Sequence, residues 1–402
     1  QAEDGIRDVE RSRGLGDVYK RQMIYRKLGR TGIDVGIVGL GAEYLEFEPE
    51  STVISVVHRA IANGVNYVDL FMASPGVRDN FGKALRNKRQ KVMIAGHLGA
   101  VMRGGQYCRS RERVESLAFY EDLLRRLKTD YIDVLMLHFV EKQADYDKVF
   151  HPGGLLGLAL KLKKEGKARF IGMSGHDVPT ALQAVNSGYI DVLMFPINPA
   201  FDTLPEEMLP GVSLKEILDR QAPSAGEAVS ARKALYHVCA AHNVALVAMK
   251  PYAGGVLFRD NPSSIVLTPV QCLSYALAQP AVCTVVPGCK NVTEMRQALA
   301  FLSATEEEKD FSTIDSNPMW KLKGSCMYCN HCLPCPVSID IGTLTRVVDT
   351  ASFGLSDMVA AAYEALPVKA SACTECGICV ERCPFGVDVI TNMNRAVAIF
   401  EK

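Results

Sequence analysis

What this 402-residue chain lacks narrows it first. Net charge is missing: Lys plus Arg and Asp plus Glu each number 45, so no field of one sign points to nucleic acid or an anionic surface. No apolar run approaches the ~20 residues of a bilayer span. A secretory signal is not visible either, because the charged start is followed by no apolar core and small-residue cleavage site. No Gly-x-Gly-x-x-Gly follows the first strand-like run, which tells against a doubly wound dinucleotide fold. Hydrophobic residues make up 48% and charged residues 22%, the composition of an ordinary globular protein. The expectation is a cytoplasmic enzyme acting on a small molecule, without nucleic acid or membrane span.

Residues 1–22, QAEDGIRDVERSRGLGDVYKRQ, look foreign to the rest of the chain. The peptide Asp17–Gln22 is what GATGTGTATAAGAGACAG encodes, a sequence resembling the transposase end of sequencing-library adapters. The stretch reads as translated adapter with Met23 as the native start; the other reading is a solvated charged tail.

From Met23 to about Thr305, strand-like apolar runs alternate with helix-length amphipathic segments. The runs are Val35–Leu40, Val65–Leu70, Val92–Ala95, Ile132–Leu137, Phe170–Ser174, Val192–Pro196, Ala245–Met249 and Cys283–Pro287. Several are continuously apolar, as parallel strands covered on both faces must be. Eight strand–helix units over this length predict an α/β fold, a closed (β/α)8 barrel. One connection is long: 200–227, with three prolines, reads as a lid or a plain surface loop. After a charged, turn-rich linker at 306–325 comes a second domain, 326–402, holding eight of the 13 cysteines.

Those cysteines form two motifs. Cys326, Cys329, Cys332 and Cys335 are spaced x2-x2-x2 before Pro336, and Cys373, Cys376, Cys379 and Cys383 are spaced x2-x2-x3 before Pro384. Zinc sites use two close pairs separated by a spacer. Disulfides need an oxidising compartment and do not close easily at such spacing. Soft thiolates in this pattern suit four-iron clusters. The region resembles two-cluster bacterial ferredoxins, and the second motif matches that pattern in full; the first is one residue short before its last cysteine. The resemblance implies crossed ligation: Cys326, Cys329, Cys332 and Cys383 on one [4Fe–4S] cluster, Cys373, Cys376, Cys379 and Cys335 on the other. The remaining cysteines, 108, 239, 272, 283 and 289, read as buried free thiols.

MIYRKLGRTGIDVGIVGLG, GVNYVDL, YIDVLMLH, GKARFIGMS, DVLMFPIN, KPYAGGVL and VVPGCKNVTEMRQAL occur in this order. Together they resemble the aldo/keto reductase family, and barrel followed by cluster motifs resembles its iron–sulfur branch. The family reduces carbonyls with NADPH through Asp, Tyr, Lys and His. On that resemblance Asp69 and His138 keep their roles, while the tyrosine position is Ser74 and the lysine position is His97. A serine hydroxyl is too weak an acid to replace a phenol, so ordinary carbonyl reduction is not expected. His97 and His138, with His176 nearby in sequence order along the barrel mouth, are read three ways. They form a proton relay, since imidazolium titrates near neutral pH, bind a transition metal with Asp69, or are structural remnants. His176 taken alone reads as structural. Tyr107, in a loop after the third strand, reads as a surface residue, with a replacement phenol as the weaker option.

For NADP(H) or NAD(H) the resemblance keeps Ser174 at the carboxamide and Gly254, Gly255, Pro287, Gly288, Lys290 and Asn291 at the phosphates. Gly175, Met194 and Met249 stand where the family has Asn, Gln and a stacking aromatic. A flavin in the same mouth is not excluded. Three functions are compatible with these residues: an oxidoreductase passing electrons between the barrel mouth and two clusters, then to a ferredoxin or other redox partner; an electron carrier or redox sensor with an inactive barrel; or a metal-dependent lyase or hydrolase at the histidines.

Overall fold

The computed structural model describes residues 22–202, 231–258, 266–312, 326, 332–351, 355, 357–383 and 386–401. Nearly all of the foreign-looking tail and of the 200–227 connection, and Cys329, lie outside the described residues.

An antiparallel pair, β1 (Tyr25–Lys27) and β2 (Asp34–Gly36), precedes the barrel. The first barrel strands are β3 (Leu40–Gly41), β4 (Tyr67–Leu70) and β5 (Met93–Leu98). Then comes a hairpin, β6 (Ala100–Arg103) and β7 (Gln106–Arg109), and the barrel resumes with β8 (Ile132–Leu137), β9 (Ala168–Ser174), β10 (Val192–Pro196), β11 (Ala245–Met249) and β12 (Val282–Val286). The eight barrel strands are parallel, each bonded to the next in chain order. Closure comes from β3 meeting β12 through single bridges, Val38 to Val285 and Gly41 to Gly288, with Gly41 N–H donating to the Pro287 carbonyl at 3.0 Å. A side chain at Gly41 would put its Cβ 2.9 Å from the Val286 carbonyl oxygen, so the seam closes only around glycine.

The expected first strand, 35–40, is split. Asp34–Gly36 pairs back on Tyr25–Lys27, and only Leu40–Gly41 enters the barrel sheet. One apolar run serves both because Leu28 and Val35 cap the interior cluster of Tyr67, Val134, Met136, Val192 and Met194 from one end. The other seven strands fall on their predicted runs to within a few residues. The β6–β7 hairpin was not anticipated. Its signal is Gly104-Gly105, both at positive φ (58° and 79°), the pair a two-residue hairpin turn accepts without strain.

Helices Glu50–Ala62, Pro75–Ala84 and Arg113–Leu127 pack outside the first strands. Among them Arg78 is only 1% exposed. It donates to the Met72 carbonyl (3.0 Å), the Phe119 carbonyl (2.7 Å) and Asp122 (3.1 Å). It thereby pins the chain just beyond β4 to the neighbouring helix.

The C-terminal domain has its own small core, including Leu344, Val348, Tyr363 and Met393, carried by helices Ile341–Ala351, Asp357–Glu364 and Val389–Phe400. Cys326, Cys335, Cys373, Cys379 and Cys383 pack against that core. Arg382 donates to the Pro334 carbonyl at 3.0 Å, tying the second cysteine motif to the tail of the first. The five scattered cysteines are all buried, as expected. Among the described residues no helix is long and apolar enough to cross a membrane.

Removing Arg78 takes its donors from the Met72 and Phe119 carbonyls, while Asp122 keeps Arg125 and Arg126. Arg78→Ala is expected to lower the unfolding free energy by roughly 3 kcal/mol, read as a shift of the urea midpoint; a loss below about 1 kcal/mol would contradict this account of the pin.

Candidate functional site

The strand register sets the site. Asp69 lies opposite Ala95 and His97 opposite Met136, so Asp69, His97 and His138 arrive at the same, C-terminal end of three neighbouring strands. That is the face where such barrels place their chemistry. Asp69, His97 and His138 are 7%, 4% and 3% exposed. His97 Nε2 lies 2.8 Å from Asp69 Oδ1, and its Nδ1 lies 2.8 Å from His138 Nδ1. His138 Nε2 is in turn hydrogen-bonded by the Tyr107 hydroxyl. Four polar groups thus form one unbroken line, and Phe71 holds it: its ring stacks on His138 and meets His97 and Tyr107 edge-on.

Tautomers follow from the ends of the line. A carboxylate accepts only, so His97 Nε2–H donates to Asp69. With the ring neutral, His97 Nδ1 then accepts from His138 Nδ1–H, and His138 Nε2 accepts from the Tyr107 O–H. Burial, reinforced by His97, Arg111, Arg109 and His176, holds the His138 imidazole well below its usual range, so it is neutral near pH 7. An extra proton on His97 reverses the line: His97 Nδ1–H donates to His138 Nδ1, and His138 Nε2–H to the phenol oxygen. The arrangement can carry a proton from end to end without turning a ring. Arg111 fixes the His138 backbone, donating to the carbonyls of His138 (2.9 Å) and Phe139 (2.8 Å) while clamping Asp145.

A second polar line lies on the same cavity wall. Lys250 Nζ is 2.9 Å from His176 Nε2, and His176 Nδ1 is 2.6 Å from Glu141 Oε1. Burial and then the Lys250 charge push the His176 imidazole well down, so it accepts from the ammonium and donates to the carboxylate. The structural reading of His176 gains two hydrogen bonds, yet the ring also faces the cavity.

That cavity, about 400 Å3, is lined by Asp69, His97, His138, Ser174, His176, Lys250, Gly254, Gly255, Gly288 and Lys290, among others. All the catalytic and cofactor residues expected in the barrel except Pro287 and Asn291 therefore share one hollow. Asn291 caps helix Val292–Leu299, its side chain accepting from Glu294 N–H at 2.9 Å. Glu294 also takes the Lys290 N–H at 2.7 Å. Met194 and Met249 line the wall where the family has Gln and an aromatic ring. The Ser174 hydroxyl accepts from Phe139 N–H at 3.0 Å and keeps its own hydrogen to donate. Ser74, at the tyrosine position of the resemblance, is not part of this lining; it is the residue before helix Pro75–Ala84, and its buried hydroxyl makes no hydrogen bond to the described residues. Tyr107, read from sequence as a surface residue, is instead 8% exposed and completes the relay, because the unforeseen hairpin folds it inward.

The single-ion reading finds little support. Every ring nitrogen of His97, His138 and His176 is engaged by a neighbour, and among the described residues no three His, Cys, Asp or Glu side chains converge on one metal ion.

In the C-terminal domain, Cys335, Cys373, Cys376 and Cys379 line a second, small cavity with Pro334, Pro336, Val337, Ile339, Ile341 and Met393. One cysteine comes from the first motif and three from the second. Soft thiols beside an apolar pocket are the donor type a [4Fe–4S] group takes, although no three of them stand as close together as a single metal ion requires. Glu375 N–H also donates to Cys373 Sγ at 3.4 Å. Cys326, Cys332 and Cys383 lie in or against the same domain core.

Known proteins bear on both halves. Residues 33–212 match the aldo/keto reductase family and residues 325–388 the 4Fe-4S dicluster domain. The chain is 27% identical over 305 residues to the uncharacterized oxidoreductase YqkF of Bacillus subtilis, covering 70% of this chain and 93% of that one. It is 33% identical over 181 residues to L-galactose dehydrogenase of Arabidopsis thaliana, covering 42% of this chain and 54% of that protein. Among solved structures, the holo form of aldo-keto reductase AKR11C1 from Bacillus halodurans aligns with TM-score 0.56 and 21% identity over 73% of this chain and 96% of that one. An aldo-keto reductase from Klebsiella pneumoniae in complex with NADPH aligns with TM-score 0.51 and 18% identity over 73% and 95%. These two likenesses concern the fold.

The buried, neutral His138 makes stability depend on acid. Its folded pKa is depressed, so below the usual 6.5 the unfolded chain binds a proton that the native chain refuses. Stability is therefore full above pH 6.5 and falls as pH drops below it, by up to about 1.4 kcal/mol per pH unit for one imidazole. Thermal midpoints of wild type and His138→Gln between pH 5.5 and 7.5 check this: the variant is less stable at pH 7.5 but has the shallower acid slope. Equal slopes would show that His138 is not held neutral.

Proposed function

Because this chain joins an aldo/keto reductase domain to a C-terminal 4Fe-4S dicluster domain, we propose that this oxidoreductase exchanges electrons between the barrel cavity and two [4Fe–4S] clusters. The observation that carries the reading is the Asp69–His97–His138–Tyr107 line on the wall of a cavity that also holds Ser174, Gly254, Gly255, Gly288 and Lys290. When bound, the clusters supply one-electron transfer and a nicotinamide supplies two-electron exchange.

The residues divide the work. Lys290 offers a positive charge, and Gly254 and Gly255, both at positive φ, bring backbone close to the phosphate end of a dinucleotide. The Ser174 hydroxyl donates to the carboxamide end. His97 and His138 give or take a proton at the reacting carbon–oxygen group, and Asp69 balances the charge that appears on His97. This is general acid–base catalysis by imidazole in place of phenol and lysine, with a contribution of roughly 10²–10⁴ in rate. Lys250, held by His176 and Glu141, presents an ammonium to the same hollow and suits a substrate with an anionic group. Cys335, Cys373, Cys376 and Cys379 hold one cluster, and Cys326, Cys329, Cys332 and Cys383 the other. A ferredoxin or another redox protein takes the electrons onward.

Anaerobic purification with iron and sulfide analysis should give about eight iron atoms per chain. Titration with NADPH and then NADH should bleach the cluster absorbance, and His97→Asn should slow that bleaching by about a hundredfold or more. Ser74→Ala should leave it unchanged. Intact clusters with no nicotinamide binding would overturn the reading in favour of an electron carrier with an inactive barrel.

A further inference from the structure

Gln106 and Tyr107 are consecutive on β7, so their side chains leave opposite faces of the strand. Tyr107 turns into the barrel and bonds His138. Gln106 turns the other way and grips the C-terminal domain at a cluster cysteine. Its Oε1 accepts from the Cys335 N–H at 2.9 Å, and its Nε2 donates to the Cys335 carbonyl (3.2 Å) and to Ser338 Oγ (2.7 Å). The amide thus pairs with the Cys335 peptide as a neighbouring strand would. From that peptide to the His138 ring on the cavity wall there are two hydrogen bonds and one continuous run of covalent bonds.

We propose that the β6–β7 hairpin is the electron conduit between the two domains, and that the cluster held by Cys335, Cys373, Cys376 and Cys379 is the one that exchanges electrons with the cavity. The cluster of Cys326, Cys329, Cys332 and Cys383 is then the outlet to the redox partner. The proposal rests on the oxidoreductase reading above. A reduced nicotinamide oxidised in the cavity releases two electrons and one proton as its C–H bond breaks. The electrons leave in two successive transfers through Tyr107 and Gln106 to the cluster at Cys335, the first passing on to the second cluster. The proton stays behind on the His97–His138 line beside Asp69. Gln106 is a positioning residue here: it fixes the Cys335 peptide against the hairpin.

The test uses the full-length holoprotein, purified anaerobically, with Gln106→Ala and Tyr107→Phe variants. Cys376→Ser identifies the cluster of interest by the EPR signal it alters. EPR-monitored redox titration should show Gln106→Ala shifting the midpoint of that cluster alone, with iron content and circular dichroism unchanged. Reduction of the clusters by NADPH should slow about tenfold or more in both variants, while reduction by dithionite keeps its wild-type rate. Gln106→Glu, which keeps the acceptor for Cys335 N–H, should recover part of the NADPH-driven rate.

Wild-type NADPH rates in both variants, a shift in the other cluster, or equal shifts in both would overturn the proposal. If NADPH fails to reduce even the wild type, the oxidoreductase reading fails by itself. The potentials still decide the assignment: a shift confined to the Cys376 cluster upholds it, and no shift refutes it.

Discussion

A carboxylate almost wholly removed from water, Asp69, sits 2.8 Å from His97 Nε2, and much of the site depends on that one contact. An unpaired buried carboxylate would be strongly destabilising or would take up a proton. The donated N–H gives it a partner. That in turn fixes which nitrogen of His97 accepts, which nitrogen of His138 donates, and which way the Tyr107 hydroxyl turns. A single charge polarises three side chains on three different elements.

The barrel keeps the aldo/keto reductase framework. On the resemblance, Asp69 and His138 stand at the family's aspartate and histidine positions. His97 stands at the lysine position and, like a lysine, bonds the aspartate. Unlike a lysine it has a second nitrogen, and through it the charge reaches His138 and the hairpin. A phenol, that of Tyr107, approaches from β7, while Ser74 stands just before helix Pro75–Ala84. Tyr107 thus sits on the segment that also touches the C-terminal domain through Gln106.

How legible was this from sequence? Strands buried on both faces announce themselves as continuous apolar runs, and seven of the barrel strands were found that way. The cysteine motifs carried their chemistry in spacing alone, and four of the expected ligands share a cavity. Asp69, His97 and His138 were legible because they follow strands whose ends must converge in a closed barrel. The failures share a cause, since each residue's role depends on a partner distant in the chain. Tyr107 looked like a surface residue because the hairpin that buries it was missed, although Gly104-Gly105 marked it. Asn291, expected at the phosphates, also caps helix Val292–Leu299, its side chain accepting from Glu294 N–H. The 35–40 run looked like one strand because nothing local says that its first half pairs backwards with Tyr25–Lys27.

The alternation of β7 has an evolutionary consequence. Because Gln106 and Tyr107 answer to different domains from opposite faces of one strand, the junction is sensitive to odd and even. One residue inserted between the Gly104-Gly105 turn and Arg109 would exchange the two faces, sending the ring outward and the amide inward. Two inserted residues would restore the parity and only lengthen the reach. Lineages carrying this architecture should therefore tolerate length changes here in steps of two, and a one-residue change should mark a protein in which the halves have been uncoupled.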